Sequence, residues 1–524
     1  MNIKILDCTL RDGGYINDWA FKDEYIAKIL KALDRSYVDI IECGYLNDKV
    51  GIQSDSTLFD STTTAEKALS SIAKGAAQKV IMINFGDFDV KNLPSKEQTS
   101  IDGIRLAFHK KDIDQAFETA YIIKDLGYKL YFQPMVTKNY KDIEFLFMIE
   151  KTNKLNPYAF YIVDSFGSMT LDEFHKYLIL AQNNLYHSIY LGYHSHNNMQ
   201  LAFSNAINMC SQNFKREIII DSSIYGIGRG AGNLNTELIA DYLNNAHEKN
   251  YDTLPLLDII DELLASLMAK NSWGFSPAQF LSASYNCHPN YASYLVNKNT
   301  NHIVGIKKIL DKLPEENKSS FDKELIEKLY REFILEPKSS LKGELKLSLD
   351  KNILLIASGK SVNEYKELLQ SKALDSNYQT IGLNHKPSIE CDYYFFTNQK
   401  RYDEFYKKIE EKKIIVTNNI EVREGVSSVL DFSKLVLNHE VLVTNSTIVV
   451  INYLVQSNFK SIEIAGLDGY EIGVDNYSYD ENQIVPDVKA QQEENNIIRN
   501  SLLELSKKIK IKLITPSIFS ENNK

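Results

Sequence analysis

Residues 1–230 alternate between short apolar runs and longer segments, for example 23–33 and 113–126, in which apolar residues recur with helical spacing. The short runs are rich in β-branched and aromatic residues, and they predict strands at residues 3–9, 38–45, 79–85, 103–109, 129–136, 159–165, 189–196 and 218–226. Eight strands that alternate with helices, in repeats of the size of a βα unit, predict a closed (β/α)8 TIM barrel. An open doubly wound sheet is the alternative. It favours a GxGxxG turn after the first strand, where this chain has Arg11-Asp12-Gly13-Gly14.

A second alternation begins at residue 352 and predicts a smaller, Rossmann-like α/β domain. Its strands are predicted at residues 353–357, 380–383, 393–397, 413–416, 441–443, 462–465 and 511–513. The segment 301–348 is rich in Lys and Glu with helical spacing, which indicates a connector. The predicted organisation is therefore a barrel in residues 1–300, a helical connector in 301–348 and the second domain in 349–524.

Polar residues collect at the carboxyl ends of the predicted barrel strands. In this fold those ends share one mouth, and active sites lie there. The polar positions are Asp7, Arg11, Asp12, Glu42, Asn84, Arg105, His109, Gln133, Asp164, His194 and His196, and the last strand leads into a glycine-rich loop that ends at Asn233. Because the strand interiors are apolar, this ring of polar side chains indicates a functional site.

His194 and His196 stand two apart on a predicted strand, so both side chains lie on one face. With Asp12 and Asn233 they offer two imidazoles, a carboxylate and an amide oxygen from one mouth. Such a set suits Mn²⁺, Mg²⁺, Zn²⁺ or Fe²⁺ and does not choose strongly among them; of these ions we expect Mn²⁺ or Mg²⁺. An open coordination position allows Lewis-acid catalysis on a carbonyl, and Arg11 could stabilise an enolate oxygen. The alternative is a structural pair of histidines, hydrogen-bonded to neighbours.

Length and composition narrow the class of protein. A chain of 524 residues exceeds one ordinary hydrophobic core, and a net charge of −10 argues against a nucleic-acid partner. The five cysteines form no CxxC pair, so neither a disulfide framework nor a zinc knuckle is indicated. We find no signal-like N-terminal segment and no apolar run long enough to span a bilayer. We therefore expect a cytoplasmic protein without a membrane span, and we expect it to form a homo-oligomer.

Three motifs resemble those of the DRE-TIM metallolyase superfamily, the barrels of the HMG-CoA-lyase or pyruvate-carboxyltransferase type. They are Asp7-Cys8-Thr9-Leu10-Arg11-Asp12-Gly13, His194-Ser195-His196-Asn197 and Gly228-Arg229-Gly230-Ala231-Gly232-Asn233. The resemblance covers about residues 1–290. Within the superfamily, the segments 164–167 and 225–233 are most similar to 4-hydroxy-2-oxovalerate aldolases.

The resemblance implies that Asp12, His194 and His196 bind the metal, that Asn233 is a further ligand and that Arg11 stabilises an enolate. The aldolases also have a histidine after the opening motif as the catalytic base, whereas this chain continues with Gly14 and Tyr15. The base is then Tyr15, Glu42, His288 or a metal-bound water. We predict substrate contacts from Arg105, Gln133, Asp164 and Tyr291; the segment around His288 and Tyr291 is either a lid or packing.

The second domain shows a weaker resemblance to the nucleotide-sugar-binding domains of sialyltransferase-like proteins. The residues that carry it, and that we predict to bind a nucleotide, are Ser358, Gly359, Asn384 and Asp468. The turn at Ser358 lacks the first glycine of a P-loop, since Leu354 stands in its place, but it can still form a phosphate site. As turn formers at strand ends, Asn384 and Asp468 also have a purely structural explanation.

Together these features predict a divalent-metal-dependent carbon–carbon lyase or aldolase. Its substrates would be a 2-oxo acid such as pyruvate and an aldehyde or acyl partner. A nucleotide sugar as a further ligand would connect it to the synthesis of a surface polysaccharide. Two alternatives are a Claisen-type acyl-CoA condensation and a glycosyltransferase-like activity of the second domain with the barrel as an accessory.

Overall fold

Eight parallel strands form a closed barrel in the computed structural model, which confirms the predicted architecture. Runs such as Ile218-Ile219-Ile220 become strands because β-branched side chains suit a sheet that is covered on both faces. The barrel strands are β1 (Ile3–Asp7), β2 (Ile40–Leu46), β3 (Gln78–Asn84), β4 (Gly103–Phe108), β5 (Lys129–Pro134), β6 (Ala159–Asp164), β7 (Tyr190–Ser195) and β8 (Ile218–Ser222). Consecutive strands pair in parallel, and β1 pairs with both β2 and β8, which closes the barrel.

The structure describes residues 3–51, 53–72, 76–212, 214–298, 302–423, 425–438, 442–471, 476–478 and 488–520. The chain divides into two units, Met1–Asn290 with Pro314–Phe321, and Tyr291–Leu313 with Asp322–Lys524. The predicted connector contains the helices Ile303–Leu310 and Lys323–Leu335, which both belong to the second unit.

Helices cover the outside of the barrel in most repeats. They are Asp23–Arg35, Thr62–Ala68, Ile113–Asp125, Asp142–Leu155, Leu171–Asn184, Ala202–Cys210 and Thr236–His247. The link from β3 to β4 differs, because it forms two 3₁₀ turns, Val90–Asn92 and Lys96–Gln98, where the alternation predicts a helix. This link contains Pro94, which disfavours a helix that continues through it.

Short helices precede and follow these repeats. Two lie directly after β1, Thr9–Asp12 and Gly14–Asn17. After the last repeat come Leu254–Ile259, a π-helical turn Ile260–Leu264, Ala265–Lys270, Pro277–Ser284 and Pro289–Asn297.

The interior of the barrel has an apolar layer and a polar layer. Leu6, Ile40, Tyr131, Tyr161 and Ile219 belong to one buried apolar cluster. Since side chains on a strand alternate between faces, the residues two positions further along β2, β5 and β8 lie on the same interior face, nearer the carboxyl ends. These residues are Glu42, Gln133 and Asp221. The strand sequence therefore sets a polar layer on top of an apolar floor.

The second unit contains a seven-stranded parallel sheet, as predicted for a Rossmann-like domain. Its strands are β9 (Asn352–Ile356), β10 (Tyr378–Leu383), β11 (Tyr393–Phe396), β12 (Ile414–Thr417), β13 (Ser428–Leu430), β14 (Ser461–Ala465) and β15 (Lys510–Leu513). Their spatial order is β13-β12-β11-β10-β9-β14-β15, so the order reverses between β9 and β14. Such a switch point is where open α/β sheets commonly bind ligands.

The sequence prediction did not include strand β13. Of the strand predicted at 441–443, residue 441 lies outside the described residues, and Leu442–Val443 pairs antiparallel with Leu437–Asn438 in a separate small sheet. The helices of this sheet region are Ser361–Glu364, Lys366–Leu374, Gln399–Phe405, Phe432–Leu435, Ser446–Gln456 and Val488–Leu505. Across the described parts of both units, no helix is long and apolar enough to cross a membrane.

Candidate metal and active site

Three predicted ligands meet at the carboxyl end of the barrel. Asp12, His194 and His196 are buried, and one potential ligand atom of each lies within 4.8 Å of the others. Nε2 of His196 is 3.7 Å from Oδ2 of Asp12, and the two imidazole rings are perpendicular, with centroids 5.5 Å apart. The structure thus brings the two histidines and the carboxylate into one cluster of the size that a single cation requires.

Local structure places each of these side chains. Asp12 lies in the helical turn Thr9–Asp12 directly after β1, and His194 lies on β7. His196 follows the end of β7 and forms an antiparallel bridge with Asn233 of the glycine-rich loop. The amide of Asn197 also donates to the carbonyl of Gly232, at 2.8 Å. The loop after β8 is therefore fixed against the loop after β7, which brings Asn233 to the histidines.

Unsatisfied buried atoms indicate that this cluster fits a cation. Within the described part of the chain, Oδ2 of Asp12 and Oδ1 of Asn233 are buried and have no hydrogen-bond partner. A buried carboxylate oxygen without a partner is costly, and a bound cation would compensate that cost. The donor set of two nitrogen and two oxygen ligands suits a divalent ion.

Two contacts of the glycine-rich loop orient Asn233. Its Nδ2 donates to the carbonyl of Ile227 at 3.0 Å, which leaves Oδ1 for another partner. A Cβ at Gly228 would collide with Nδ2 of Asn233 and would lie 3.2 Å from Oδ2 of Asp12. Only glycine therefore allows the loop to approach the cluster this closely.

A line of alternating charges, which we call the buried charge chain, connects Asp12 to His194 beneath the cluster. Arg11 donates from Nη1 to Asp12 at 2.6 Å and from Nε to Glu42 at 2.8 Å. Arg105 pairs with the same oxygen of Glu42 at 3.0 Å and with Asp221. Asp221 in turn lies 3.0 Å from Nδ1 of His194.

Asp221 is a residue that the sequence interpretation missed. Its carboxylate faces Nδ1 of His194, so Nε2 is the nitrogen that remains for a metal. The available signal was a single acidic residue that ends the apolar run Ile218-Ile219-Ile220. The strand predicted at 218–226 continued past it to Gly226, whereas β8 ends at Ser222.

The surroundings of the cluster keep its carboxylates charged and the imidazole of His196 neutral. Burial by itself would raise the pKa of Asp12, but Arg11 and the two histidines hold that pKa well below its usual range. For Asp221, Arg105 and His194 likewise outweigh burial and lower the pKa. Burial lowers the pKa of His196 to about 3. Asp12 is therefore an anion and His196 a neutral imidazole near neutral pH, as metal ligands must be.

The predicted substrate-contacting residues separate into three groups. Arg105 and Gln133 lie in the polar layer, where the Gln133 side-chain oxygen, in its favoured amide orientation, accepts from Nε of Arg105 at 2.8 Å. Asp164 accepts from the amides of Ser168 and Met169 at 2.9 and 3.0 Å, and burial raises its pKa to about 6. Tyr291 lies in the second unit, buried, and its hydroxyl accepts from the amide of Asp322 at 3.1 Å.

Of the candidate bases, Tyr15 and His288 flank Arg229 of the glycine-rich loop. Nη1 of Arg229 is 3.4 Å from Nε2 of His288, and its guanidinium carbon lies 5.1 Å from the centroid of the Tyr15 ring. The His288 ring also contacts Phe166, which follows β6, with centroids 6.0 Å apart. Burial and the charge of Arg229 lower the pKa of His288 well below its usual value. The third candidate, Glu42, pairs with two arginines of the charge chain.

In the second unit, hydrogen bonds join the turn that contains Ser358 and Gly359 to the turn that contains Asp468. Asp468 accepts from the amide of Ser361 at 2.8 Å and from its hydroxyl. The amide of Gly359 donates to Gly466 at 2.8 Å. The carbonyl of Ser358 accepts from Ser478, also at 2.8 Å.

Asn384 joins the ends of two neighbouring strands. Its Oδ1 accepts from the amide of Thr397 at 2.9 Å, and its Nδ2 donates to the Thr397 hydroxyl at 3.3 Å. Its φ of 55° is left-handed, which asparagine tolerates better than most residues. Ser358, Gly359 and Asp468 therefore lie together at the switch point between β9 and β14, whereas Asn384 lies after β10.

Comparisons with known proteins match the barrel. A sequence model described as HMGL-like matches residues 2–262. The 4-hydroxy-2-oxovalerate aldolase of Bacillus thuringiensis is 24% identical over 273 residues, which cover 51% of this chain and 77% of that protein. The enzyme of the same description from Thermomicrobium roseum is 27% identical over 272 residues, with 51% and 73% covered. A crystal structure of the N-terminal domain of a candidate aldolase from Bacteroides vulgatus is 30% identical and covers 57% of this chain and 99% of that one, with a TM-score of 0.48.

Proposed function

Because residues 2–262 belong to the HMGL-like family of lyases and aldolases, we propose that this chain is a divalent-metal-dependent aldolase that acts on a 2-oxo acid such as pyruvate. The observation that carries the proposal is the cluster of Asp12, His194 and His196 at the barrel mouth, with Oδ2 of Asp12 and Oδ1 of Asn233 buried and unsatisfied among the described residues. Asp12, His194, His196 and Asn233 would hold the cation, with Mn²⁺ or Mg²⁺ as the preferred ions. When bound, such a cation polarises the carbonyl of the 2-oxo acid as a Lewis acid.

The proposed reaction makes or breaks one carbon–carbon bond. In the cleavage direction, a base takes the proton from the 4-hydroxyl group of a 4-hydroxy-2-oxo acid, and the C3–C4 bond breaks to release an aldehyde. The electron pair of that bond forms the enolate of the shorter 2-oxo acid, which then takes up a proton at C3. The addition runs through the same steps in reverse.

Arg11 is the proposed stabiliser of the enolate. Its Nη1 and Nε are bonded to Asp12 and Glu42, which fixes the plane of the guanidinium next to the metal ligands. Its Nη2 is buried and has no partner among the described residues. A pre-oriented cationic donor at this place would bind the oxygen on which negative charge develops, and such donors are among the larger contributions to catalysis.

His288 is the proposed base for the hydroxyl proton. The amide of Asn290 donates to its Nδ1 at 3.2 Å, Nη1 of Arg229 lies 3.4 Å from its Nε2, and burial together with the charge of Arg229 lowers its pKa, so the resting ring is neutral. A neutral imidazole can accept a proton at neutral pH. Tyr15 is less suited as a base because a phenol is ordinarily protonated at neutral pH.

The remaining functional predictions gain no specific support. For the described residues, no contact favours an acyl-CoA condensation, a glycosyltransferase activity or a role in polysaccharide synthesis. Nucleotide-sugar binding by Ser358, Gly359, Asn384 and Asp468 stays a prediction.

The test of the proposed function is exchange of the C3 protons of pyruvate with D₂O, followed by NMR. We expect exchange with Mn²⁺ that stops on addition of a chelator and that falls about 100-fold or more in His196→Ala, because enolisation needs the metal. His187→Ala is the matched control, since His187 is exposed and precedes β7 at its other end. Equal exchange in wild type and His196→Ala, or none in Mn²⁺-loaded wild type, would contradict the proposal.

A further inference from the structure

Arg229 is held in a fixed position at the barrel mouth. It stands between Gly228 and Gly230 in the loop after β8, and its carbonyl accepts from the amide of Gly232 at 3.1 Å. The neighbouring Ala231 donates its amide to the side chain of Asn198, which follows β7, at 2.8 Å. The loop is thus tied at two places, so the arginine side chain starts from a defined backbone.

The guanidinium of Arg229 differs from the other two arginines at the mouth. Arg11 and Arg105 both pair with buried carboxylates. Arg229 instead faces an aromatic ring and an imidazole, and its Nε is buried with no hydrogen-bond partner in the described part of the chain. No carboxylate of that part forms an ion pair with it. A partly buried cation without an anion is unfavourable by itself, which indicates that its anion comes from a ligand.

Arg229 lies beside the candidate base and near the metal cluster. Nη1 of Arg229 is 3.4 Å from Nε2 of His288. Burial is the larger cause of the lowered pKa of His288, and the charge of Arg229 is the second cause. The adjacent Gly228 is so close to the cluster that a Cβ there would lie 3.2 Å from Oδ2 of Asp12. Arg229 is therefore close to the candidate metal ligands as well as to the candidate base.

Arg105 lies beneath the cluster and pairs with two carboxylates, whereas Arg11 and Arg229 suggest two separate anion contacts. Arg11 contacts the ligand Asp12 and has its own unpaired Nη2, so it serves the 2-oxo acid bound at the cluster. Arg229 is more exposed than Arg11 and adjoins His288, the proposed base for the hydroxyl that arises from the aldehyde. The part of the substrate beyond that hydroxyl would consequently face Arg229.

We propose that Arg229 binds an oxyanion on the second substrate, so that the enzyme joins a 2-oxo acid to an aldehyde that carries a carboxylate or phosphate group, and not to an unsubstituted aldehyde. The inference rests on the aldolase function proposed above and specifies its acceptor. The planar guanidinium can donate two parallel hydrogen bonds to an oxyanion, and the face of the Tyr15 ring supports its plane.

The test compares matched acceptors in Mn²⁺-dependent addition to pyruvate. Succinic semialdehyde is paired with pentanal, and glycolaldehyde phosphate with glycolaldehyde. We expect the wild type to favour the charged member of at least one pair about ten-fold or more in kcat/KM, and the pair that shows it tells carboxylate from phosphate. Arg229→Ala should lower kcat/KM for that acceptor about 10- to 100-fold, mainly through KM, because a charge-assisted hydrogen bond is lost. The uncharged partner should lose much less.

Arg229→Lys keeps the charge but not the planar fork, so we expect it to recover part of the preference. The matched control is Lys110→Ala, which removes a cation that follows β4 at the same end of the barrel and already pairs with Glu144 at 2.6 Å. This control should keep the wild-type preference. A preference for neither charged acceptor, or an equal loss for both members of a pair in Arg229→Ala, would overturn the inference.

Pyruvate exchange without acceptor separates this inference from the function on which it rests. If exchange in Arg229→Ala falls as far as the reaction with the charged acceptor, the arginine binds the 2-oxo acid, and the inference is wrong while the aldolase function stands. If the wild type catalyses neither exchange nor addition, the aldolase function fails. In that case, calorimetry of the Mn²⁺-loaded protein with succinate and with methyl phosphate tests whether Arg229 binds an oxyanion. Equal affinities in wild type and Arg229→Ala would show that it does not.

Discussion

The carboxyl end of the barrel and the carboxyl edge of the second sheet use similar residues in opposite ways. Both regions place Asp, Asn and Ser or His directly after parallel strands. At the barrel mouth, Oδ2 of Asp12 and Oδ1 of Asn233 are buried without a partner among the described residues. At the second sheet, Asp468 is bonded to Ser361, and Asn384 is bonded to Thr397.

The difference shows that a polar residue at a strand end is not yet a ligand site. At the switch point of the second sheet, the Asp468 carboxylate accepts from the amide that begins the short helix Ser361–Glu364. That amide is therefore already bonded within the protein, and burial raises the pKa of Asp468. The barrel mouth has polar atoms that no described residue satisfies, and these are the atoms available to a ligand.

The largest effect is expected on Mn²⁺ affinity, from a residue of the charge chain beneath the barrel mouth. Asp221→Asn removes the carboxylate that fixes Nδ1 of His194, so we expect the affinity for Mn²⁺ to fall about 10- to 100-fold. Electron paramagnetic resonance of free Mn²⁺ measures this directly, without any assay of turnover. Asp241→Asn, on the exposed face of the following helix, is the control and should bind Mn²⁺ like the wild type. A wild-type affinity in Asp221→Asn would show that the charge chain does not support the metal site.

An intermediate effect is expected from Asp7, a strand-end carboxylate of the barrel that is satisfied internally. It accepts from Thr236 at 2.6 Å and from the amide of Thr9 at 2.9 Å, and burial raises its pKa to about 6 from an ordinary value of 3.8. The folded state thus holds this proton more tightly than the unfolded state. The resulting stabilisation is fully present below about pH 4 and is lost as pH rises through about 6.

Replacing Asp7 with Asn should remove that pH dependence. The difference in free energy of unfolding between wild type and Asp7→Asn should change by about 2–3 kcal/mol between pH 4 and pH 7, to the disadvantage of the wild type. Both tryptophans, Trp19 and Trp273, lie in the first unit, so their fluorescence in urea titrations reports the barrel. A constant difference across this range would mean that Asp7 titrates normally.

The smallest effect is expected in the second unit. Asp468→Ala removes the acceptor for the Ser361 amide and hydroxyl, and we expect a loss of about 1 kcal/mol in the free energy of unfolding. The loss should appear in the transition followed by circular dichroism and not in the tryptophan transition, with Mn²⁺ affinity unchanged. If a nucleotide sugar raised the stability of the wild type but not that of Asp468→Ala, Asp468 would instead be part of a binding site.

Several parts of the molecule could be predicted from sequence because they depend on local patterns. The eight apolar runs gave the barrel strands to within a few residues, and the spacing of His194 and His196 gave their common face. The predictions were weaker where the local pattern was ambiguous. The link from β3 to β4 has the length of a helical segment but forms 3₁₀ turns, and strand β13 has only 3 residues, too few for a recognisable period.

The sequence by itself determined the barrel, the common face of His194 and His196 and the position of Arg11 next to Asp12, since strand periodicity and adjacency are properties of short segments. Only the tertiary structure decided which distant charges meet. Glu42, Arg105 and Asp221 form one chain because they project from different strands into the same interior layer, and Arg229 reaches His288 across 59 positions of sequence. It also decided which strand-end polar groups are satisfied within the protein, as Asp468 is, and which are left for a ligand, as Asp12 and Asn233 are. Hydrogen-bond satisfaction depends on three-dimensional neighbours, and no spacing along the chain encodes it.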